Sequence, residues 1–342
     1  MKKKIILGLP KTFSFFKIIK KNIEFYGYEV ISICYEERHN FKYKNFPQRA
    51  YNFFRKTFLN DKNYKNKLKF KLYRDMIESV INSIDGKVDY TLLIRADIYP
   101  IDVLNKLKKK SKKLIAYQWD GLHRFPAIYT HIKLFDRFFV FDKTDFNYKK
   151  ANLLPLTNFY FDYDKSTIPL EACENDIYFI GSLVHERMPQ IINFINYVKN
   201  LDLKLDINIF YSNKCDRDKY AIKGVKYINK HMDYEDNIKF LKNSKIIVDF
   251  LNQTHRGLSF RTFEALCFDK KLITNNPEVK NYDFYNSNNI FIWNGNNIDK
   301  LEEFINLPYK KIDNSIKLKY SFKNWLNYVL DTNEYVPINF PT

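Results

Sequence analysis

Cysteine is scarce in this 342-residue sequence: Cys34, Cys173, Cys215 and Cys267 are the only four. They lie too far apart for a metal-knuckle spacing and are too few for a dense disulfide framework, so all four are expected to be packing thiols. Long apolar runs are missing as well. No stretch approaches the roughly 18 apolar residues of a membrane span, and the N-terminal MKKKIILGLPK is interrupted by Pro10 and Lys11 before a secretory core is complete. The cytoplasm is therefore the expected compartment. A Walker-type glycine-lysine loop, a metalloprotease pair of histidines and a nucleophile elbow are all absent, and so is any internal repeat of fixed short period.

Acidic residues run short on one side only. Residues 1–165 hold 34 Lys and Arg against 17 Asp and Glu, whereas the remainder hold 23 against 22, so the net charge of +18 belongs to the first half. Such a field attracts polyanions, either nucleic acid or an anionic lipid surface, although a lysine-rich solvated face has the same composition. The cluster of lysines over 106–113 is one expected point of membrane contact. With 45% hydrophobic residues the chain is long enough to bury two cores.

What is present is an alternation. KKIILGLP reads as a buried strand, FSFFKIIKKNIEFYG as a helix ending at Gly27, and EVISICY as a second strand. A long basic helical stretch around 47–85 is followed by the short apolar runs VDYTLLIRAD, KLIAYQWDG and DRFFVFDK. The rhythm breaks at NFYFDYDKSTIPLEACEN and resumes with DIYFIGS, LDINIFY, GVKYIN, KIIVDFL, KLITNN and NIFIW, and the periodic NSIKLKYSFKNWLNYVLDT closes the chain. Alternating strands and helices predict an α/β protein of two doubly wound, Rossmann-like domains facing a cleft. The expected divisions are a basic N-terminal domain over 1–160, a linker over 161–174, a nucleotide-binding domain over 175–310, and a C-terminal helix in 311–342 packing back on the first domain. Ligands of such sheets sit at the carboxyl ends of strands, so the loops there carry the chemistry.

One of those loops is HRGLSFRTFEALCF, from His255 to Phe268. Ser259 is placed to cap a helix whose first amides are unpaired, Gly257 lets backbone approach an anion, and Arg256 and Arg261 add positive charge beside it. Arg261 and Glu264 share a helix face: the arginine suits a phosphate, and the glutamate suits ribose hydroxyls. The plainer alternative is a surface ion pair worth a few tenths of a kcal/mol.

GLSFRTFEALCFDKKLITNN resembles the C-terminal signature of GT-B fold glycosyltransferases, in which a glutamate of a Glu-Ala pair holds the donor ribose. YFIGSLVHERM resembles the strand and loop that open the donor domain of many of them, usually Gly-Arg-Leu followed by Pro-Glu-Lys. The matching positions are Gly181, Ser182 and Leu183, then His185, Glu186 and Arg187, and the resemblance implies that Arg187 takes the lysine's place on a diphosphate. Ser182 stands for the family's arginine and Gly257 for an acidic residue seven before the glutamate, so only the nucleotide role carries over. The resemblance covers about the last half of the chain and is nearest to bacterial spore-maturation-like and capsule or lipooligosaccharide glycosyltransferases. By the same resemblance, Asn229 to His231 lie near the donor base, the alternative being a plain loop in which Asp233 caps a helix. The implied partners are a nucleotide-sugar and a glycan or lipid-linked glycan acceptor, with no cofactor required.

The acceptor would then belong to the first domain, where AYQWDGLHRFP is the most unusual stretch. Asp120 or His123 is placed to take the acceptor's proton, and Asp97 in IRADIYP is the alternative base. The plainer readings are that Asp120 caps a turn and that Trp119 is core. Asp162-Tyr163-Asp164 and Asp216-Arg217-Asp218 both spell D-x-D, but one lies in the linker and the other in a polar loop, and no metal site is expected from either. Two rival functions remain: a sugar-nucleotide epimerase of the same fold, and a nucleic-acid-binding protein suggested by KNKLKFKLYR. For the latter no recognised RNA module is visible.

Overall fold

A computed structural model describes residues 2–11, 14–36, 41–59, 64–146, 152–251 and 256–341. The chain divides into two compact units, one running to Leu156 and including Val329–Asn333, the other comprising Thr157–Tyr328 and the residues from Glu334. His255, at the start of the loop singled out above, lies outside the described residues.

The first unit contains β1 (Lys4–Gly8), α1 (Phe15–Phe25), β2 (Glu29–Ser32), α2 (Phe46–Phe58), α3 (Tyr64–Lys71), α4 (Arg74–Asn82), β3 (Val88–Ile94), α5 (Ile101–Lys110), β4 (Ser111–Gln118), β5 (Arg137–Val140) and β6 (Leu153–Pro155). All six strands are parallel, in the order β2-β1-β3-β4-β5-β6. A parallel sheet is covered on both faces, which is why β3 is a nearly unbroken apolar run with one half-buried aspartate. The chain returns to this unit at Val329–Asn333, where Asp331 lies 3.1 Å from Arg137 and 3.2 Å from Lys113.

The second unit contains β7 (Asn175–Ser182), α6 (Met188–Val198), β8 (Leu205–Phe210), α7 (Lys214–Lys219), β9 (Lys226–Ile228), α8 (Tyr234–Lys242), β10 (Ser244–Asp249), α9 (Phe260–Cys267), β11 (Lys271–Thr274), β12 (Ile290–Ile292), α10 (Ile298–Asn306), α11 (Asn314–Lys319) and, as far as Tyr328, α12 (Phe322–Leu330). Its six strands are again parallel, in the order β12-β11-β10-β7-β8-β9. The two-residue side-chain period of a strand divides the core between the faces. Tyr178 and Ile247 pack on one side with Phe263 of α9, while Ile177, Phe179, Ile246 and Val248 pack on the other with Ile191 and Phe194 of α6.

Several expectations change on contact with the structure. The basic stretch around 47–85 forms three helices, and the closing periodic segment forms two, interrupted at Tyr320 and Ser321. Cys34 and Cys267 are buried thiols and Cys173 is half-buried, but Cys215 is exposed, because it lies in the polar helix α7, which buries no residue. Five of the six lysines over 106–113 have a partner, and Lys109 is exposed. Lys106, Lys108, Lys112 and Lys113 reach Glu78, Asp136, Asp89 and Asp331 at 2.7, 2.5, 2.8 and 3.2 Å, and Lys110 donates to the Ile84 carbonyl. Among the described residues, no helix is long and apolar enough to cross a membrane.

Candidate functional site

Strand order in the second unit reverses between β7 and β10: the chain runs outward through β8 and β9, then crosses back to lay β10 on the other side of β7. Loops leaving two such strands diverge to opposite faces and open a crevice at their carboxyl ends, the usual ligand position in this architecture. Helix α6 follows β7 and helix α9 follows β10, so both present their N-terminal ends, with unpaired amides and positive dipole, at that crevice.

The side chains there are charged and tightly held. Arg187, immediately before α6, donates from Nη2 to the Ser182 carbonyl at 2.7 Å and from Nη1 to the Phe250 carbonyl at 3.3 Å. Arg261, in the first turn of α9, donates from Nη2 to the Ile180 carbonyl at 2.6 Å. Each guanidinium is thus oriented by backbone at a strand end, and in each the Nε is buried without a hydrogen-bond partner among the described residues. Burial pulls the Arg187 pKa below its ordinary value, with Asp249 opposing that shift and Arg261 adding to it. An arginine nevertheless stays cationic at neutral pH.

Ser259 occupies the N-cap position of α9 but makes no side-chain cap. Its hydroxyl instead donates to Asp249 Oδ2 at 2.8 Å, because the loop turns the serine back toward the end of β10. The capping role read from the sequence is therefore corrected. Asp249, which sequence reasoning did not single out, joins the cluster as its carboxylate next to two arginines. Glu264 is only 2% exposed, which excludes a surface ion pair with Arg261. Its Oε1 accepts from the Tyr234 hydroxyl at 2.7 Å, and its Oε2 is buried without a partner among the described residues. Burial pushes the Glu264 carboxyl above its ordinary range, against the pull of Arg261 and Tyr234.

The other expected nucleotide residues lie along the same strand ends. Gly181 is in β7, and a Cβ there would meet the Phe179 ring at 2.7 Å, so glycine is needed for packing beneath the crevice. Gly257 is buried and Arg256 exposed, and the Arg256 carbonyl accepts from Asn276, beyond β11. The loop is pinned from below by Asn158, whose Nδ2 donates to the Leu258 carbonyl at 2.9 Å. His231 lies farther along, after β9, stacked on Phe210 of β8 with ring centroids 3.7 Å apart. Asp233 sits at the N-cap of α8 without a side-chain cap hydrogen bond.

In the first unit Asp97 and Asp120 gather at the ends of β3 and β4 around Arg95, which sequence reasoning did not single out, while His123 lies in the turn that follows β4. Arg95 adopts a left-handed φ of 65°, a conformation costing a non-glycine residue about 1–3 kcal/mol. Asp97 accepts from its Nε and Nη2, each at 2.7 Å, and from Gln118 Nε2 at 2.8 Å. Asp120 lies between two guanidinium groups, at 3.4 Å from Arg95 and 2.5 Å from Arg124, with 18% of its side chain exposed. It caps no turn, since the Leu122 amide donates instead to Asp145, whose pKa burial raises. Trp119 is half-buried, edge-on to Phe15 at 6.0 Å. His123 is exposed, and its ring lies so close over Gly121 that a Cβ there would fall 2.6 Å from it.

Alanine at Asp97 is expected to destabilise the first unit by about 3 kcal/mol, since it strips a buried guanidinium of its bidentate partner while Asp120 remains near. Thermal or urea unfolding measures it. A loss below about 1 kcal/mol would show that this pair does not hold Arg95 in its strained conformation.

The aspartates of both D-x-D segments are engaged by neighbouring groups. Asp162 is buried against the Lys323 amide and Asp164 pairs with Lys242, while Asp216 and Asp218 pair with His185 and Arg217. No group of three or more His, Cys, Asp or Glu among the described residues is arranged to hold a metal ion.

No family model matches the chain, and no curated protein matches its sequence significantly. Solved structures do match its fold. A structure described as apo OtsA superposes over 98% of this chain and all of its own, with a TM-score of 0.56 at 9% identity. A UDP-forming alpha,alpha-trehalose-phosphate synthase from Burkholderia xenovorans superposes over 90% of this chain and 92% of its own, with a TM-score of 0.52 at 8% identity. The fold is of the GT-B type. A UDP-GlcNAc 2-epimerase from Methanocaldococcus jannaschii also aligns, over 91% of this chain and 95% of its own, at 12% identity and a TM-score of 0.49. Within this GT-B fold, the β7–β10 reversal is where the second unit's charged cluster is concentrated.

Proposed function

We propose that this protein is a glycosyltransferase that moves a sugar from a nucleoside-diphosphate donor to a surface-glycan acceptor of the capsule or lipopolysaccharide type. The observation that carries the reading is the pair Arg187 and Arg261 at the β7–β10 reversal, each with an Nε that has no partner among the described residues, beside the Oε2 of Glu264, which has none there either. Two donors and an acceptor, all buried and unsatisfied in one cluster, fit a ligand that brings phosphate oxygens and hydroxyls together.

In this reading the diphosphate lies between the N-terminal ends of α6 and α9, with Arg256 beside it and Gly257 allowing close approach. Glu264 faces the ribose, and the base lies toward His231. As the bond between the sugar carbon and the phosphate oxygen breaks, negative charge develops on the diphosphate, and the arginines and helix amides stabilise it. These groups supply the neutralisation without a metal. The new bond forms to an acceptor hydroxyl, whose proton passes to Asp120, with His123 and Asp97 as alternative bases. The protein would work in the cytoplasm, with its basic half against the inner face of the membrane.

Thermal-shift measurements with nucleoside diphosphates and their sugars test the donor site, because a ligand selective for the native state raises the melting temperature. No shift with any of them would remove the reading. Product analysis without acceptor then separates transfer from epimerisation: interconversion of the free donor sugar would make the protein an epimerase.

Glu264→Ala is expected to weaken nucleotide binding by about 1–3 kcal/mol in calorimetry. Tyr234→Phe is the control, since it removes the carboxylate's internal partner without touching the carboxylate. If Tyr234→Phe reproduces the whole loss, Glu264 acts on the fold and not on the ligand.

A further inference from the structure

Helix α2 has its faces reversed relative to a helix held by a core. At about 100° per residue, Phe46, Phe53, Phe54 and Phe58 fall within roughly 140° of arc, the kind of stripe a helix ordinarily buries. Here they are 79, 64, 46 and 69% exposed, and α2 buries no residue at all. Its half-buried positions are Gln48, Asn52 and Arg55, on the opposite side. Asn52 donates to the Tyr43 hydroxyl at 2.9 Å, Arg55 lies over the rings of Tyr51 and Tyr64, and those two rings meet edge to face at 5.1 Å. Tyr64 belongs to α3, which is fixed to the body of the unit by buried Phe70 against Tyr35 and Tyr99. Polar and tyrosine contacts therefore hold the helix, and the phenylalanines face outward.

The surroundings are strongly basic. Residues 41–74 contain eleven Lys and Arg and a single acidic residue, Asp61. Arg74, at the end of this stretch, pairs with Glu78 and Asp102 at 2.7 and 2.6 Å, whereas Lys65, Lys67 and Lys71 are exposed along α3.

We propose that the outward face of α2, with the lysines of α3 beside it, is a docking surface for a bilayer containing anionic lipid. The phenylalanines enter the boundary between headgroups and acyl chains while the cations meet the lipid charges. This gives the membrane contact suggested above a location and a mode, and it rests on that reading while using no feature of the donor site. Charge complementarity decides the occupant. A second copy would bring the exposed lysines of α3, Lys65, Lys67 and Lys71, against their own counterparts across an isologous contact, and a nucleic acid would satisfy the charge but leave the contiguous phenylalanine stripe in water.

The test is co-sedimentation of the full-length protein with phosphatidylcholine vesicles, with and without phosphatidylglycerol, alongside binding to a single-stranded oligonucleotide and the oligomeric state by sedimentation. The parent should bind only the anionic vesicles. Phe53→Ser with Phe58→Ser should reduce that binding about tenfold or more, and Lys65→Gln, Lys67→Gln and Lys71→Gln together should weaken it in a salt-dependent way. Both variants should keep the parent's melting temperature and its shift with nucleoside diphosphate, which keeps this result separate from the fate of the donor site. Equal vesicle binding by the phenylalanine variant and the parent would overturn the proposal. So would binding to the oligonucleotide without binding to vesicles, or a dimer that the phenylalanine variant abolishes.

Discussion

Alanine at Arg187 or at Arg261 is expected to lower kcat by about 100- to 1000-fold, the loss typical of removing one oriented donor from a developing oxyanion. The size of the effect comes from how the side chains are held. Arg187 spans two backbone carbonyls, from different strand ends, and Arg261 is fixed to a third. Positive charge oriented in advance does not have to reorganise as the diphosphate leaves, and that is what makes it effective in the transition state. Lysine should not rescue either position, because a point charge cannot hold the carbonyls and still present a second donor. Since the two guanidinium groups repel each other, the double variant should lose less than the product of the single losses. A diagnostic beyond activity is the ratio of affinities for a nucleoside diphosphate and for the bare nucleoside. It should collapse toward one in both variants, whereas a variant damaged only in folding would lose both affinities together. A preserved ratio would place the phosphates elsewhere.

Much of the second unit was legible in the sequence because each of its six strands is a short apolar run punctuated by turn residues, and local composition suffices to find such runs. The strand that escaped, β6 of the first unit, is three residues long and ends in proline. Its existence depends on pairing with β5, not on its own pattern. Strand order is likewise a property of pairing, so the crevice between β7 and β10 could be argued only by resemblance until the register was known. Arg261 and Glu264 stood out as residue types near glycine and a helix start, and Arg187 by resemblance. That Ser259 would turn to Asp249, and that Glu264 would be buried under Tyr234, depends on contacts 10 and 30 residues away. The same limit applies to α2. Periodicity reveals an apolar stripe, but only the fold shows that the stripe faces water. Arg95 illustrates a different case, since a left-handed arginine carries no local signal: the conformation is imposed by the partners around it, Asp97, Gln118 and Asp120.

Those partners frame the other large effect. Asp120→Asn is expected to leave nucleotide affinity unchanged and to reduce turnover about 100- to 10,000-fold, the range for losing a positioned general base. Asp97 is fully engaged by Arg95 and Gln118, so its carboxylate is committed to structure; Asp120 is held more loosely by Arg95, at 3.4 Å, and keeps part of its side chain exposed. A group that accepts a proton must reach a hydroxyl, and of the two carboxylates only Asp120 has that access. Asparagine preserves its size and one acceptor oxygen, so Arg95 and Arg124 keep a partner and the melting temperature should hardly move. His123→Ala in the same background distinguishes the two candidates. If Asp120 is the base, the histidine change adds little, and if turnover is normal in Asp120→Asn but falls in His123→Ala, the proton passes through the exposed imidazole instead.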